Sequence, residues 1–500
     1  MTIQIPIAIF LVLAFSAFAL SSRGYRRLCA VVLVACGLTA CTVGPWYKRP
    51  NIPPPEAWRA SDTPGAPTTE QTSTIPATAA WPSSEWWKGF KSAQLDDLMA
   101  QAQQANDDLA AAVARVREAD AQVRIAGAPL FPSIGVNGDA TRQRAKVTPA
   151  GGTVAVPKTY NTFSAQVAAS YELDFWGKNL SARRSAGYLA DASRYDRATV
   201  ELTVMSSVAV TYFQAMEAHD RLVVAEQDLS TAQTVLNDLK TELRVGVVNA
   251  LDVAEQETTV AVLNASIPPL RQQFRQSVNA LAVLVGKPGE ALEFPGGILT
   301  ELSEPQVQPG LTSELLARRP DVAASEAQLM SANADIAVAR AAFFPNIDLT
   351  ADGGFVSTAL ATLITPVNRV FAISGGLTQS IFSGGQLTGT YNLRKARYAE
   401  LLADYHKSVI SAFTDVENAL VALQQTADQY QRQTEAVNTA RHAYEITETQ
   451  MHAGVVNVLT VLNTQSALFS AQDALVQVRF AHLQALVQLY SALGGGWQRT

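Results

Sequence analysis

The sequence contains one unit twice, and this duplication constrains the fold more than any other feature. Several segments of the first half recur, with little change, about 210 residues later. The matching pairs are Asp108–Ala111 with Asp321–Ala324, Phe131–Ile134 with Phe344–Ile347, and Gly246–Asn249 with Gly454–Asn457. A unit of this size is too long for a solenoid repeat, so we predict two similar halves at 86-286 and 311-494. A connection at 287-310 separates them, and a tail at 495-500 follows.

Each half contains two segments in which apolar and polar residues alternate, as they do on a strand with one buried face. We predict strands at 131-147 and 159-175 in the first half, and at 345-356 and 369-382 in the second. Each is long enough for the ~10 residues of a tilted membrane strand. A soluble sandwich gives the same alternation, but two hairpins cannot close a sheet. A membrane barrel must close with at least about 8 strands, so several copies must share one: two copies supply about 8 strands and three about 12.

Heptad repeats fill much of the remaining sequence. In the first half, leucine occupies every seventh position at Leu222, Leu229, Leu236 and Leu243. These seams predict long coiled-coil helices at 180-245 and 386-453, with returning helices at 250-286 and 457-494. A helix of about 65 residues is ~95 Å long, more than a globular core requires, so it must span something. The helix before each strand pair and the returning helix are about half as long, and we expect these two to stack end to end.

The N-terminus predicts an export signal. Three arginines precede a short apolar run that ends in Leu38-Thr39-Ala40-Cys41, and basic residues, an apolar run and small residues are the components of such a signal. This tetrapeptide resembles the lipobox of bacterial lipoproteins, which are cleaved before a cysteine that carries lipid. We therefore predict a signal peptide at 1-40, with an over-long start, and lipidation of Cys41. The stretch 41-85 is rich in Pro, Thr and Ser, which predicts an extended tether.

Composition and motifs argue against several classes of protein. The formal net charge is -6 and no basic run stands out, so we expect no nucleic-acid partner. The five histidines share no ligand spacing, and no nucleophile elbow, phosphate loop or metal motif accompanies them. We therefore expect no enzyme activity, no cofactor and no metal site. A purely structural coiled-coil scaffold explains the heptads but not four amphipathic strands with acids on one face.

The sequence resembles the outer-membrane efflux lipoproteins of the TolC-like family, the outlet component of resistance-nodulation-division (RND) tripartite pumps. Besides the two glycine turns, the matching segments are Cys41–Pro50, Trp86–Leu98, Tyr171–Lys178, Leu315–Asp321, Ala341–Pro345 and Ile381–Leu387. The resemblance implies a homotrimer in which each protomer gives four β-strands to a ~12-stranded outer-membrane barrel, continuous with an α-helical coiled-coil tunnel in the periplasm. It also implies a periplasmic adaptor protein and an inner-membrane RND-type transporter as partners. The outlet duct of a type I protein-secretion system is the alternative within this fold.

The polar faces of the predicted strands provide candidate lining residues for the barrel. They are Asn137, Asp139, Glu172, Asp174, Asp348 and Asp352. Singly, each could serve only to solvate the lumen. Because most of them are acids, together they predict a preference for cations over anions.

The resemblance also implies two sites at the turns between the long and returning helices. Relatives close the periplasmic end with acids six or nine positions past the turn glycine, which here are Asp252 and Glu255 in the first half. The second half has Thr460 and Asn463 instead, so an acidic gate must come from the first half alone. A solvated helix face is the alternative explanation of the two acids. The candidates for the adaptor contact are Gly246, Val247, Asn249, Gly454, Val455 and Asn457.

Overall fold

The computed structural model describes residues 43–55, 58, 82–147, 156–305, 307 and 312–499. The predicted signal peptide, Cys41 and most of the predicted tether lie outside these residues. The chain divides into two compact units. The first, here called the sheet unit, comprises Met1–Lys48, Asp120–Leu189 and Leu329–Leu401. The second, the helical unit, comprises Arg49–Ala119, Ala190–Gln328 and Leu402–Thr500.

The helices and strands follow the order that the duplication predicts. In the first half they are α1 (Ala93–Ala105), α2 (Asp107–Gly127), β1 (Ser133–Val147), β2 (Val156–Glu172), α3 (Lys178–Arg244) and α4 (Ala250–Leu284). In the second half they are α5 (Thr312–Arg318), α6 (Pro320–Ala341), β3 (Asn346–Ser357), β4 (Arg369–Thr378), α7 (Gln386–His452) and α8 (Val458–Ala492). Within the described residues, no helix is both long enough and apolar enough to cross a bilayer.

The sheet unit is built around one antiparallel sheet with the strand order β1-β2-β3-β4. Each strand pairs with its neighbour in the sequence, so β1 and β4 form the two edges. Phe163 of β2 lies opposite both Ala140 of β1 and Ser357, the last residue of β3. The β1–β2 hairpin therefore continues past the end of β3.

Two strands end earlier than the alternating pattern predicts. The strand expected at 159-175 stops at Glu172, because Phe175 N–H bonds to Leu173 O at 2.8 Å and Gly177 turns the chain with a φ of 71°. The strand expected at 369-382 stops at Thr378, after which the Gln379 side chain donates to Phe343 O at 3.0 Å. Side-chain and turn hydrogen bonds end both strands, and alternation alone does not reveal them.

The core of the helical unit combines aromatic residues from both halves of the sequence. Trp86 and Phe90 lie in a single 3₁₀ turn before α1. Trp86 stacks on Tyr490 of α8 with ring centroids 5.1 Å apart, and Phe90 meets Phe213 of α3 edge to face at 5.0 Å. Buried aromatic pairs of this kind contribute packing and geometry together, so this cluster joins the two repeats.

The helix ends meet at two junctions, one in each half, and the duplication is visible in the hydrogen bonds there. In the first half, Asn106 Nδ2 donates to the carbonyl of Leu284 at 2.9 Å. In the second half, Arg319 donates to the carbonyl of Ala492 at 3.4 Å. Each bond supplies a partner for a carbonyl at a helix C-terminus, where the helix itself provides none.

Glycines allow the close approach at these junctions. Gly286 and Gly494 follow the last turns of α4 and α8 with φ of 70° and 88°. A Cβ on Gly286 would overlap the carbonyl of Ala105, and one on Gly494 would overlap that of Arg318. Both positions therefore require glycine, for its left-handed backbone and for its missing side chain.

The single helix expected before the first strand is instead broken at Asn106. Asn106 has an extended backbone with φ of -72° and ψ of 126°, and its Oδ1 accepts the N–H of Leu109 at 3.1 Å. It thus caps α2, so that α2 rather than one continuous helix stacks on α4. The sequence Asn106-Asp107-Asp108 carries this signal, because a capping Asn followed by acids is typical of a helix start. In the second half, Pro320 begins α6 after a similar break.

The connection at 287-305 is held by two buried charged residues. Asp220 Oδ2 accepts the N–H of Leu299 at 2.9 Å, and Arg479 Nε donates to the Leu299 carbonyl at 3.4 Å. Arg479 also pairs with Glu304. The connection is therefore fixed by one residue from each half of the chain.

Glu326, which is buried, pairs with one arginine from the predicted tether and one from the C-terminal tail. Arg49, from the predicted tether, reaches Glu326 Oε1 at 3.1 Å, and Arg499, from the tail, reaches Oε2 at 3.1 Å. Residues 43–55 form neither helix nor strand. One carboxylate thus ties the tether and the tail to α6.

The Asn106 junction predicts a measurable loss of stability. Asn106→Ala removes the cap of α2 and leaves the Leu284 carbonyl without its amide donor, so the free energy of unfolding should fall by about 1 kcal/mol or more. Thermal unfolding in detergent measures this change. Gln104→Ala, at an exposed position of the same segment, is the matched control and should leave the transition unchanged. Equal transitions for the two variants would contradict the role of Asn106.

Candidate functional site

The sheet has one polar and one apolar face, and the strand registers assign the residues to them. Residues paired across strands share a face, and the pairs are Asn137 with Gln166, Asp139 with Ser164, Glu172 with Asp348, and Ala168 with Asp352. Because alternate residues of one strand also share a face, these pairs all lie on the same side. The sheet therefore brings together five predicted lining residues: Asn137, Asp139, Glu172, Asp348 and Asp352.

The opposite face is apolar and exposed. Val136 on β1 is 79% exposed, and Phe371 and Ile373 on β4 are 85% and 82% exposed. Large apolar side chains exposed together in this way mark a surface that another apolar medium or molecule covers. Among the strands that the structure describes, the backbone groups on the outer sides of β1 and β4 also have no strand partner.

Two of the predicted lining acids bond to groups at the helix start. Glu172 Oε1 lies 2.9 Å from Lys178 Nζ. Asp174 lies beyond the end of β2, and its carboxylate accepts the N–H groups of Asn179 at 3.0 Å and Leu180 at 2.7 Å. The structure therefore corrects the expectation for Asp174, which caps the start of α3 instead of continuing the polar face of the strand.

The turns at Gly246 and Gly454 have the same construction. Both glycines have positive φ, of 79° and 69°. Asn249 Oδ1 accepts the N–H of Asp252 at 3.1 Å, while Asp252 Oδ2 accepts the N–H of Asn249 at 2.9 Å, which is a capping box at the start of α4. In the second half, Asn457 Oδ1 accepts the N–H of Thr460 at 3.1 Å.

This capping changes how the gate candidates are read. Asp252 and Thr460 both occupy the third position of a helix and both bond to the capping asparagine. Asp252 therefore has a structural role that the sequence analysis missed, although the Asn-x-x-Asp spacing carries the signal. Glu255 lies one turn further along α4, half-buried and outside the capping box. Asn463 occupies the corresponding place on α8 and carries no charge.

The two turns lie side by side within the helical unit. Val235, Leu236 and Leu239 of α3 pack with Val253 of α4 and with Val458 of α8. This cluster brings the starts of the two returning helices together. The exposed apolar side chains at the turns include Val247, Leu251, Val455 and Leu459, here called the tip surface.

A network of charged side chains joins the two repeats further along the helices. Arg221 of α3 bonds to both carboxylate oxygens of Asp473 of α8, at 2.6 and 3.2 Å, and also to Glu217 at 3.1 Å. Planar two-point contacts of this kind are among the stronger ion pairs. These residues lie far apart in the sequence, so no local pattern predicts the network.

Asp228 of α3 is buried beside this network, with 7% of its surface exposed. Burial, with the negative charge of Asp473, raises the pKa of Asp228 to about 7. The folded protein therefore holds this carboxyl largely neutral below neutral pH.

Among the described residues, no group of His, Cys, Asp and Glu side chains is arranged to hold a metal ion.

Comparison with known proteins gives consistent matches over almost the whole chain. The pattern of the family described as "Outer membrane efflux protein" matches residues 98–287 and 311–495, which are the two repeats. The pyoverdine export outer membrane protein OpmQ of Pseudomonas putida is 39% identical, over 95% of this chain and 98% of that protein. The toluene efflux pump outer membrane protein TtgC of Pseudomonas putida is 30% identical, over 94% and 96%. The solved open state of the Neisseria gonorrhoeae MtrE outer membrane channel has a TM-score of 0.80 and 28% identity, over 92% and 99%.

The raised pKa of Asp228 predicts a pH dependence of stability. An acid whose pKa is higher in the folded than in the unfolded state contributes nothing below its unfolded pKa of 3.8, and destabilises increasingly until the pH passes about 7. Asp228→Asn should therefore gain stability relative to the original chain between about pH 4 and 7, and then reach a plateau. Thermal unfolding across this range measures the difference. Asn237→Ala, at an exposed position of the same helix, changes no titratable group and should show a constant difference. A flat difference for Asp228→Asn as well would contradict the assignment.

Proposed function

We propose, from the premise that this chain belongs to the outer membrane efflux protein family, that it acts as a homotrimer. The protein is an outer-membrane channel of an efflux system, and the proposal concerns how its residues form that channel. Three copies would give about 12 strands to one barrel, and their helices would form a tunnel in the periplasm.

The incomplete sheet is the observation that carries this proposal. A four-stranded sheet with an exposed apolar face and two unpaired edges cannot stand alone in a bilayer, where every backbone group needs a partner. Pairing β4 of one copy with β1 of the next would satisfy both edges. Repeating the contact would close the barrel, with the apolar face toward lipid and the polar face toward the lumen.

At the turns between the long and returning helices, we infer a gate in which Glu255 and Asp252 provide the acidic ring. Each copy would contribute these acids once, from the first repeat, because Thr460 and Asn463 replace them in the second. Glu255 is the stronger candidate, because Asp252 is also engaged in the capping box. The acids would meet across the three-fold axis where the turns converge.

The tip surface is the proposed contact for a periplasmic adaptor protein. Its exposed Val247 and Val455 lie at the turns, with the capping residues Asn249 and Asn457 beside them. The adaptor would link the channel to an inner-membrane transporter of the RND type.

Cys41 would carry lipid and anchor the tether in the outer membrane. Relatives named for pyoverdine export and toluene efflux support a small organic molecule as the cargo.

The lining acids predict ion selectivity. Asp348→Asn with Asp352→Asn removes two negative charges per copy from the polar face, so the preference of the channel for cations should fall. Reversal potentials under a salt gradient in a planar bilayer measure this preference. Asp97→Asn, on α1 of the helical unit, is the control and should leave the reversal potential unchanged. An anion-selective original channel would sink the assignment of the lumen face.

The gate predicts a change in closed-state conductance. Glu255→Gln should raise the conductance of the closed channel several-fold, because the neutral glutamine removes the ring of negative charge that is proposed to close it. Glu257→Gln, two positions away on α4, is the matched control, since Glu257 instead pairs with Lys240 at 2.8 Å. Single-channel recording compares the two. If both variants leave the closed state unaltered, Glu255 does not form the gate.

A further inference from the structure

The charges of the four strands are distributed unevenly between the two faces of the sheet, with every acid on one face. The polar face carries the acids Asp139, Glu172, Asp348 and Asp352, together with Lys158. Every charged residue of the described strands on the apolar face is basic: Arg142, Arg144, Lys146 and Arg369. All four of these basic residues are exposed. We call these four residues the basic rim.

The basic rim begins where the apolar part of its face ends. On β1, Ile134, Val136 and Ala140 share a face with Arg142, Arg144 and Lys146, because all lie an even number of positions apart. Ala140 lies level with the end of β3, through Phe163. The three basic residues therefore lie on the part of the hairpin that continues past the end of β3.

The fourth residue brings a second strand to the same region. Arg369 is the first residue of β4 and lies opposite Phe355, on the apolar face. In the proposed trimer, β4 of one copy pairs with β1 of the next, so Arg369 would lie near the basic residues on β1 of the neighbouring copy. No ion pair within the described part of the chain neutralises Arg142, Arg144 or Lys146. The sequence between Asp139 and Glu172 contains no acid.

Chain connectivity assigns this end of the sheet to the outside of the cell. Strands β1 and β2 join α2 and α3 at one end and each other at the opposite end. Since the helices of an efflux outlet occupy the periplasm, the hairpin end faces outward. The outer leaflet of a bacterial outer membrane consists of glycolipids with phosphorylated headgroups. Basic side chains placed directly above an apolar band lie at the level of those phosphates.

We propose that the basic rim binds the phosphorylated headgroups of outer-leaflet glycolipids, an inference that rests on the proposed trimeric barrel. Arginine and lysine form charge-assisted hydrogen bonds to phosphate, and three aligned residues on one strand can contact one polyanionic headgroup. Alternate residues of a strand are about 7 Å apart, so the long side chains of Arg142, Arg144 and Lys146 can reach different anionic groups of one headgroup. The binding fixes the depth of the barrel in the membrane and holds a shell of lipid around its outer end.

The test uses the full-length trimer in detergent, titrated with fluorescent lipid A that carries both phosphates, and in parallel with the dephosphorylated glycolipid. The triple variant Arg142→Gln, Arg144→Gln, Lys146→Gln should lose affinity for the phosphorylated lipid by on the order of 100-fold, since each basic residue near an anionic lipid contributes roughly five-fold. Its affinity for the dephosphorylated lipid should stay unchanged.

Lys158→Gln is the matched control. Lys158 lies in the same hairpin but on the polar face, where it pairs with Ala145. It should bind phosphorylated lipid A as tightly as the original chain. The charge-conserving variant Arg142→Lys, Arg144→Lys should retain most of the binding, which separates loss of charge from damage to the hairpin. Millimolar inorganic phosphate should not displace the lipid.

Several results would overturn the proposal. These are equal binding by the triple variant, an equal loss with Lys158→Gln, no preference of the original chain for phosphorylated lipid, or full displacement by inorganic phosphate. Trimer mass and single-channel conductance report the proposed function separately. A trimeric, conducting protein that binds no phosphorylated lipid A would remove the lipid site alone, whereas a chain that forms no trimer would remove the barrel and this inference with it.

Discussion

The unpaired edges of the four-stranded sheet are the constraint on which the rest of the molecule depends. Hydrocarbon offers no hydrogen bonds, so within a bilayer the outer backbone groups of β1 and β4, which have no strand partner among the described residues, require partners from beyond this sheet. The apolar face makes the same demand, since Phe371 and Ile373 stand exposed on it. The proposed trimer therefore rests on backbone chemistry rather than on a particular side-chain contact.

The two repeats of the duplicated sequence are equivalent at the junctions where helix ends meet. At the helix junctions, Asn106 and Arg319 perform the same task with different side chains, each donating to the last carbonyls of a returning helix. Gly286 and Gly494 meet the same steric limit. Where packing is tightest, the two halves have therefore kept the same geometry while changing the chemistry of the donor.

The repeats differ most where charge matters. Both returning helices begin with a capping asparagine, but Asp252 closes a capping box in the first repeat, whereas Thr460 only donates to Asn457 Oδ1 in the second. The same backbone thus carries an acid in one repeat and a neutral residue in the other. On the sheet, charge is also distributed unevenly, with acids on the polar face and basic residues at the end of the apolar face. The two repeats can carry different side chains at their surfaces, because the backbone hydrogen bonds of the fold do not depend on those side chains.

The sequence by itself determined the repeat, the four strands, the long helices and the polar face that gathers Asp348 and Asp352, because hydrophobic period depends only on neighbouring residues. It also carried the signals for the Asn106 cap and the Asn249 capping box, in spacings that the heptad pattern concealed. Only the tertiary structure decided that Asp174 caps α3, that Arg221 pairs with Asp473, and that Asp228 is buried beside them. Those outcomes depend on which helices pack together, and residues from distant parts of the chain become neighbours only after folding.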